Sequence, residues 1–178
     1  MQTMQGLNRR FLAALVCLGG LMAQPGLAAA GAVRVELVEP ARFADAGYSH
    51  RQATPVELAQ LQQALQGALQ PLAERGLPAG AQLQVQLLDV DLAGELELLR
   101  RPTGTEMRVM REITWPRLSL RWRLEQDGRE LRAGEQLLSD LNYLAHQPPG
   151  RSAERYEPER RLLQRWFQQT FGPAGEAP

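Results

Sequence analysis

The residues most able to do chemistry in this chain are acidic side chains grouped around one glycine. Asp89, Asp91 and Glu95 lie within one seven-residue segment, and Gly94 precedes the last of them. Carboxylate oxygens around a glycine turn are ligands that a hard cation such as calcium prefers, although two apolar residues stand where a calcium loop needs further oxygens. The segment therefore predicts one candidate site, for a metal-dependent enzyme that could also use Asp140.

A structural role also explains the same carboxylates, and it is the interpretation that the sequence favours. Acidic residues at the end of a strand commonly cap a turn or pair with a neighbouring arginine, and Arg100 and Arg101 follow closely. Under this alternative Asp91 holds the turn at Gly94 rather than binding a ligand. Both interpretations stay open at the level of the sequence.

Trp115 is the aromatic residue best placed to contact a ligand or a partner. It precedes Pro116 between two predicted strands, where a tryptophan can act as a surface anchor or can enter the core. Trp122 and Trp166 lie on apolar faces of predicted elements, and we expect both in the core.

Recognisable catalytic signatures are missing from the chain. It has two histidines, His50 and His146, far apart in predicted loops, and a single cysteine, Cys17. The histidines lack metal-ligand spacing, and nucleophile-elbow, Walker and dinucleotide-binding motifs do not occur. The sequence therefore predicts no cofactor and favours a non-enzymatic binding module over the metal-dependent enzyme.

The first thirty residues have the three parts of a secretory signal peptide. Arg9 and Arg10 supply the positive charge, an apolar run follows over 11–23, and three alanines at 28–30 offer a cleavage site. The apolar run is shorter than the roughly 20 residues that span a bilayer. We therefore predict a cleavable signal peptide over 1–30 and a periplasmic protein without a transmembrane segment in its mature chain.

The remaining chain is one domain in length and nearly neutral in charge. Removal of 1–30 leaves 18 basic against 20 acidic residues, a formal net charge of −2. Such a chain lacks the basic surface that nucleic-acid binding needs, so we expect an envelope protein or a small ligand as partner. We predict a single domain over 31–171 and a disordered tail over 172–178.

The first half of this domain shows a strand, a helix and an irregular strand. Apolar residues alternate from Val33 to Leu37, and Thr54, Pro55 and Glu57 then form a helix start with a capping box. The face of this helix opposite its leucine stripe is mostly glutamine, at positions 60, 62, 63, 66 and 70, and we expect it to face solvent. In 83–92 the apolar residues change faces, which requires a bulge, a strong twist or burial on both faces.

The second half is predicted to contain three strands and a helix. We expect a charged loop over 95–106, a strand over 107–113 and a clear strand over 118–124. Asp127-Gly128 then makes a two-residue hairpin turn. The turn predicts that Leu124 lies opposite Leu131 and Trp122 opposite Ala133. A helix starting at Pro158 closes the domain. This order of elements predicts an α+β fold, a mostly antiparallel sheet of about five strands with two helices packed on one face.

Three stretches of the chain together resemble a known family. They are Leu77-Pro78-Ala79-Gly80 with Leu83 and the segment from Asp89 to Glu95; Ile113 to Leu118 with Ser139 to Leu144; and Tyr156-Glu157 leading to Trp166-Phe167. In this order they resemble the bacterial family catalogued as domain of unknown function 3016, over 33–171. The resemblance implies an exported, envelope-associated single-domain protein and supplies no activity. Pro158 stands where the family has a basic residue, and no functional residue is carried over.

Overall fold

The computed structural model describes residues 30–98, 106–146 and 154–172. The predicted signal peptide before Ala30 and the predicted tail after Gly172 lie outside these ranges. In chain order the elements are strand β1 (Ala32–Leu37), helix α1 (Pro55–Gly76), strands β2 (Ala81–Asp91), β3 (Glu95–Leu98), β4 (Glu106–Val109), β5 (Arg117–Gln126) and β6 (Arg129–Ser139), and helix α2 (Glu157–Phe171). Short 3-10 turns occupy Pro40–Arg42 and Tyr143–His146.

Four strands form the main sheet, in the order β1-β2-β5-β6, and β3 pairs with β4 in a separate two-stranded ribbon. The predicted α+β class with two helices is confirmed, but the main sheet is mixed and has four strands. β1 runs parallel to β2 because helix α1 connects them as a crossover. The pairs β2–β5 and β5–β6 are antiparallel.

One apolar core lies between the main sheet and both helices. Its completely buried side chains come from both layers: Leu61, Leu65 and Leu69 of α1, Leu83, Val85 and Leu87 of β2, Leu118 and Leu120 of β5, and Leu163 of α2. Trp122 and Trp166 belong to the core as predicted, with their ring centroids 6.3 Å apart. The described ranges contain no helix with the length and hydropathy of a membrane span.

The start of α1 follows the sequence prediction. Thr54 accepts a hydrogen bond from the Glu57 backbone, and the Glu57 carboxylate accepts from the Thr54 backbone at 3.0 Å, which completes the capping box. The Glu57 carboxylate also accepts from the Ser49 backbone. Burial alone would raise the pKa of Glu57, but these bonds and His50 outweigh it and lower the pKa to about 2. The cap therefore fixes the loop before the helix as well as the helix itself.

The glutamine face of α1 does not simply face solvent, which corrects the prediction for three of its five residues. Gln66 accepts a hydrogen bond from the Val35 backbone at 2.7 Å and donates to the Val33 carbonyl. Gln62 donates to the Val35 carbonyl at 2.8 Å, and Gln70 accepts from the Val33 backbone. β1 is an edge strand, and these side chains satisfy backbone groups that would otherwise be open. Sequence periodicity cannot distinguish this role from solvation.

The phase change within β2 is a β-bulge, one of the three explanations predicted for it. The pairing with β5 shifts between Leu87 and Asp89, so that Leu88 has no direct partner. The shift places Val90 and Leu92 in the same core as Leu87. Without it, one of the two apolar sets would face solvent.

The region of β3 and β4 differs from the sequence prediction. The expected charged loop over 95–106 contains β3, and the expected strand over 107–113 ends at Val109. The buried face of β4 carries Arg108, whereas Met107 is 51% exposed. Hydrophobic alternation failed here because the buried residue is an arginine whose polar groups are all bonded within the protein.

The hairpin between β5 and β6 turns at Asp127-Gly128 as predicted, but its register shifts by one residue. Trp122 lies opposite Gly134 instead of Ala133, and Leu124 opposite Arg132 instead of Leu131. A β-bulge after Leu124 causes the shift. A Cβ atom at position 134 would lie 2.9 Å from the indole nitrogen, so glycine is the residue that accommodates this ring.

We predict that Gln66→Ala lowers the free energy of unfolding by about 1–3 kcal/mol, because it leaves the Val33 carbonyl and the Val35 N–H group without their side-chain partner. Gln63→Ala is the matched control, since Gln63 is an exposed glutamine of the same helix. Urea denaturation of both variants measures the difference. Equal stability of the two variants would contradict the edge-covering role of Gln66.

Candidate functional site

The clearest candidate site is a cavity of about 270 Å³ at the end of the main sheet where β2 finishes and β5 begins. We call it the Trp115 cleft. Its lining residues are Asp45, Asp91, Leu92, Gly94, Glu95, Ile113, Thr114, Trp115 and Arg117. It brings together three of the five residues that the sequence singled out, namely Asp91, Glu95 and Trp115.

Backbone contacts between four chain segments build the cleft. The Asp45 backbone donates to the Val90 carbonyl, and Leu92 donates back to the Asp45 carbonyl, both at 2.9 Å. The loop before α1 thus joins the end of β2 as a short parallel bridge to Asp91. Gly94 turns the chain with a φ of +80° and donates to the Thr114 carbonyl at 2.8 Å. The cleft wall at 113–115 is therefore tied to the turn between β2 and β3.

Arg108 lies beneath these segments, with only 1% of its side chain exposed. Its Nη2 atom bonds both oxygens of Asp45 at 2.9 Å and the Gly47 carbonyl at 2.7 Å. Its Nη1 atom donates to the Gly94 carbonyl at 2.8 Å and to Ala93. One guanidinium thus connects the β3–β4 ribbon, the loop before α1 and the turn at Gly94.

Glu159 is a second buried charge beside the same turn. It belongs to the first turn of α2, is 2% exposed, and accepts a hydrogen bond from the Ala93 backbone at 2.7 Å. Burial raises its pKa to about 7. The Ala93 bond and the charge of Arg108 act in the opposite direction, and Asp45 adds to the rise. Arg108 therefore pairs directly with Asp45, and its charge also acts on Glu159.

Two of the three carboxylates that line the cleft, Asp45 and Asp91, are held by arginines. Burial raises the pKa of Asp45; Arg108 counteracts this rise, and the nearby charge of Asp91 adds to it. Asp91 accepts from the Nε atom of Arg117 at 2.9 Å. The Arg117 guanidinium also lies 5.9 Å from the centroid of the Trp115 ring, within the range of a cation–π contact.

The other two predicted site residues lie elsewhere. Asp89 accepts a hydrogen bond from the Ala44 backbone at 2.8 Å and does not line the cleft. Asp140 is buried, bonds Arg165, and lies 3.3 Å from Nδ1 of His146. The structure therefore separates Asp140 from the acidic segment that it was expected to join.

The geometry favours the structural interpretation of the acidic segment over the metal site. Within residues 30–98, 106–146 and 154–172, there is no group of three or more His, Cys, Asp or Glu side chains that could hold a metal ion. Asp91 pairs with an arginine, as that interpretation expected, but the partner is Arg117. Arg100 and Arg101, the partners suggested by sequence proximity, lie outside the described residues.

Arg108 and Glu159 are two buried charges that sequence reasoning missed. Each is a charged residue inside a segment whose other charges face solvent, so the composition of the segment does not indicate that this residue is buried. For Glu159 the only hint is its position in the first turn of α2, where a carboxylate is common for electrostatic reasons alone. Asp45 was missed in the same way, because the loop that carries it has no periodicity.

The lining of the cleft offers charged groups, apolar side chains and one hydroxyl group. The Thr114 hydroxyl is the only Ser, Thr or Cys side chain among the lining residues, and it donates to the Arg111 carbonyl at 3.1 Å. The remaining lining groups are carboxylates, an arginine and apolar side chains, including Ile113, which is 76% exposed. Such a surface suits a partner that presents an apolar group beside a cation.

We predict that Glu159→Gln changes the pH dependence of stability. A carboxyl whose pKa is higher in the folded than in the unfolded state stabilises the fold below about pH 4.5, and this contribution is lost as the pH rises through about 7. Glutamine keeps the acceptor for Ala93 but cannot ionise. The variant should gain stability relative to the parent protein between pH 4.5 and 8, by up to about 3 kcal/mol.

Urea denaturation at several pH values measures this change, with Glu154→Gln as the surface control. The Glu154 side chain is 78% exposed, so its substitution should leave the pH dependence unchanged. A difference between Glu159→Gln and the parent protein that does not vary with pH would contradict the prediction.

Comparison with known proteins gives a family and no activity. No curated protein matches the chain. Among solved structures, a "putative lipoprotein from Caulobacter crescentus CB15" is 20% identical, with 82% of this chain and 93% of that chain covered and a TM-score of 0.34. An "uncharacterized protein" is 14% identical, with 79% of this chain and 86% of that chain covered and a TM-score of 0.30.

The family model described as "Protein of unknown function (DUF3016)" matches residues 31–169. The chain therefore belongs to the DUF3016 family.

Proposed function

We propose that this protein is an exported, non-enzymatic interaction module of the cell envelope, and that the Trp115 cleft is the surface that binds its partner. The observation that carries the proposal is the composition of the cleft. Ile113 is 76% exposed beside the half-buried Trp115, and both adjoin carboxylates that arginines of the same chain hold in place. Large apolar side chains left in solvent around a formed concavity commonly mark protein interfaces.

The bonding of the buried charges supports binding rather than catalysis. Arg108, Glu159 and Glu57 each bond backbone atoms of a loop or turn outside their own strand or helix. A catalytic acid or base needs access to a substrate, whereas these groups are enclosed and engaged in holding the chain. Asp45 does reach the cleft, but both of its carboxylate oxygens bond Arg108.

The partner that best fits the cleft is a protein segment with an apolar side chain next to a lysine or arginine. Trp115 and Ile113 offer the apolar contact, and tryptophan is among the residues that most often dominate interface energies. Glu95 lies exposed at the start of β3, and Asp45 and Asp91 line the floor. Asp45 and Asp91 already pair with arginines of this chain, so the exposed Glu95 is the carboxylate that favours a cationic group on the partner.

The envelope location rests on the amino-terminal sequence. The positive, apolar and small-residue regions of 1–30 support cleavage near Ala30 and release of a domain over 31–171 into the periplasm. The formal net charge of −2 expected for the mature chain does not support binding to nucleic acid. An envelope protein is therefore the class of partner that we propose.

A photo-crosslinking amino acid placed at position 113 in cells that make the full chain tests the proposal. We expect a covalent adduct with another protein, in the periplasmic fraction, and loss of this adduct when Trp115→Ala is added. Position 63 is the matched control, because Gln63 is also exposed but lies on α1. Mass spectrometry of the adduct should find an amino terminus near Gly31.

Two outcomes would contradict the proposal. Adducts of the same size and yield from positions 113 and 63 would mean that the cleft has no special role. Absence of any adduct at 113, with the protein present in the periplasm, would remove the cleft as a partner-binding surface.

A further inference from the structure

The two edges of the main sheet are treated differently. The outer edge of β1 is covered by Gln62, Gln66 and Gln70, which bond the backbone of Val33 and Val35. The other edge is β6, eleven residues long, and no strand in the described parts of the chain pairs with its outer side. A long open edge presents unpaired backbone donors and acceptors to any strand of matching shape.

β6 carries the usual devices against edge pairing only in the half next to the hairpin turn. Its charged residues are Arg129, Glu130, Arg132 and Glu135, and its bulge lies at Leu131. The stretch 136–139 has no charge and no proline, and the register with β5 is regular from Arg132 to Ser139. Leu137 is 71% exposed and lies opposite Ser119, on the sheet face away from the helices. Natural edges usually carry a charge or a kink at such a position.

We propose that β6 pairs antiparallel with β6 of a second copy of this chain, so that the two four-stranded sheets continue into one eight-stranded sheet. The two-fold axis passes through Gly134. This inference goes beyond the proposed function, because it concerns the sheet edge and not the Trp115 cleft.

The sequence of β6 favours this register over centres at Arg132 and at Glu135. Centring on Gly134 overlaps the whole strand, Arg129 to Ser139, and places Leu137 opposite Leu131 of the second copy. It sets no like charges directly opposite one another. A centre at Arg132 or at Glu135 would place that charged residue opposite its own copy, which destabilises a strand pair.

The side chains around the proposed axis are small or already bonded. Gly134 meets Gly134 of the second copy, and Ala133 lies opposite Glu135 of the second copy on the outer face. The two Glu135 side chains become diagonal neighbours, and each is 3.1 Å from Arg121 of its own chain, which offsets their repulsion. Arg132 is withdrawn from the edge, because it lies over the Trp122 and Phe171 rings and bonds the Thr170 carbonyl.

Cysteine pairing tests both the dimer and its register. Two variants of the full chain are expressed and exported, one with Ala133→Cys and one with Glu135→Cys. Both also carry Cys17→Ala, so that no native thiol competes. When the two variants are mixed and oxidised, they should form a disulfide-linked dimer in higher yield than either variant does alone. The reason is that residue 133 of one copy lies directly opposite residue 135 of the other copy. A disulfide needs Cβ atoms within about 4.5 Å, which diagonal neighbours do not reach.

Analytical ultracentrifugation of the exported protein supplies the second measurement. We expect a reversible dimer whose dissociation constant rises at least about tenfold in Leu137→Lys, which places a charge opposite Leu131. Leu141→Lys is the matched control, because Leu141 is also exposed, at 65%, but lies outside β6. The proposal is overturned by a protein that stays monomeric at every concentration, by equal effects of the two lysine variants, or by equal disulfide yields from mixed and single cysteine variants.

Discussion

The buried guanidinium of Arg108 is the interaction on which the cleft side of the molecule depends. It bonds Asp45, Gly47 and Gly94, residues of two segments that have no regular secondary structure to hold them. Because the side chain is removed from water, each of these bonds replaces one that solvent would otherwise provide, and loss of the arginine would leave Asp45 without its cation. The position of the Trp115 cleft is thus a consequence of one charged residue on a four-residue strand.

The rest of the fold follows from how the sheet completes its hydrogen bonds. A helix crossover makes β1 parallel to β2 and leaves β1 at an edge, where the glutamines of α1 supply the missing partners. The hairpin at Asp127-Gly128 places β6 at the other edge, and no described element supplies partners there. The hydrogen-bonding needs of the β1 backbone therefore explain the glutamine face of α1, which hydrophobic periodicity leaves unexplained. The backbone of β6 has the same needs on its outer side.

Local signals in the sequence predicted the elements better than their contacts. The capping box at Thr54, the turn at Asp127-Gly128 and the bulge in β2 depend on neighbouring residues, so they could be predicted. The hairpin register depends on the fit of Trp122 against Gly134, which is a tertiary contact. Among the site residues, Asp91 and Glu95 meet at the cleft because the Gly94 turn joins β2 and β3. Trp115 joins them because it lies just before Arg117 of β5, which pairs with Asp91. Asp140 bonds α2 instead, and Arg108 and Glu159 gave no usable signal.

The free energy of unfolding of Arg108→Met and Arg108→Lys tests the central role of Arg108 most directly. The account predicts a loss of about 3–5 kcal/mol for Arg108→Met, since Asp45 would keep a half-buried charge without a partner. It predicts a smaller loss for Arg108→Lys, which retains the charge but cannot reach as many acceptors. Hydrogen exchange should show that both substitutions loosen the backbone at Gly47 and Gly94 before the main sheet. An Arg108→Met variant as stable as the parent protein, with unchanged exchange at these two glycines, would contradict the account.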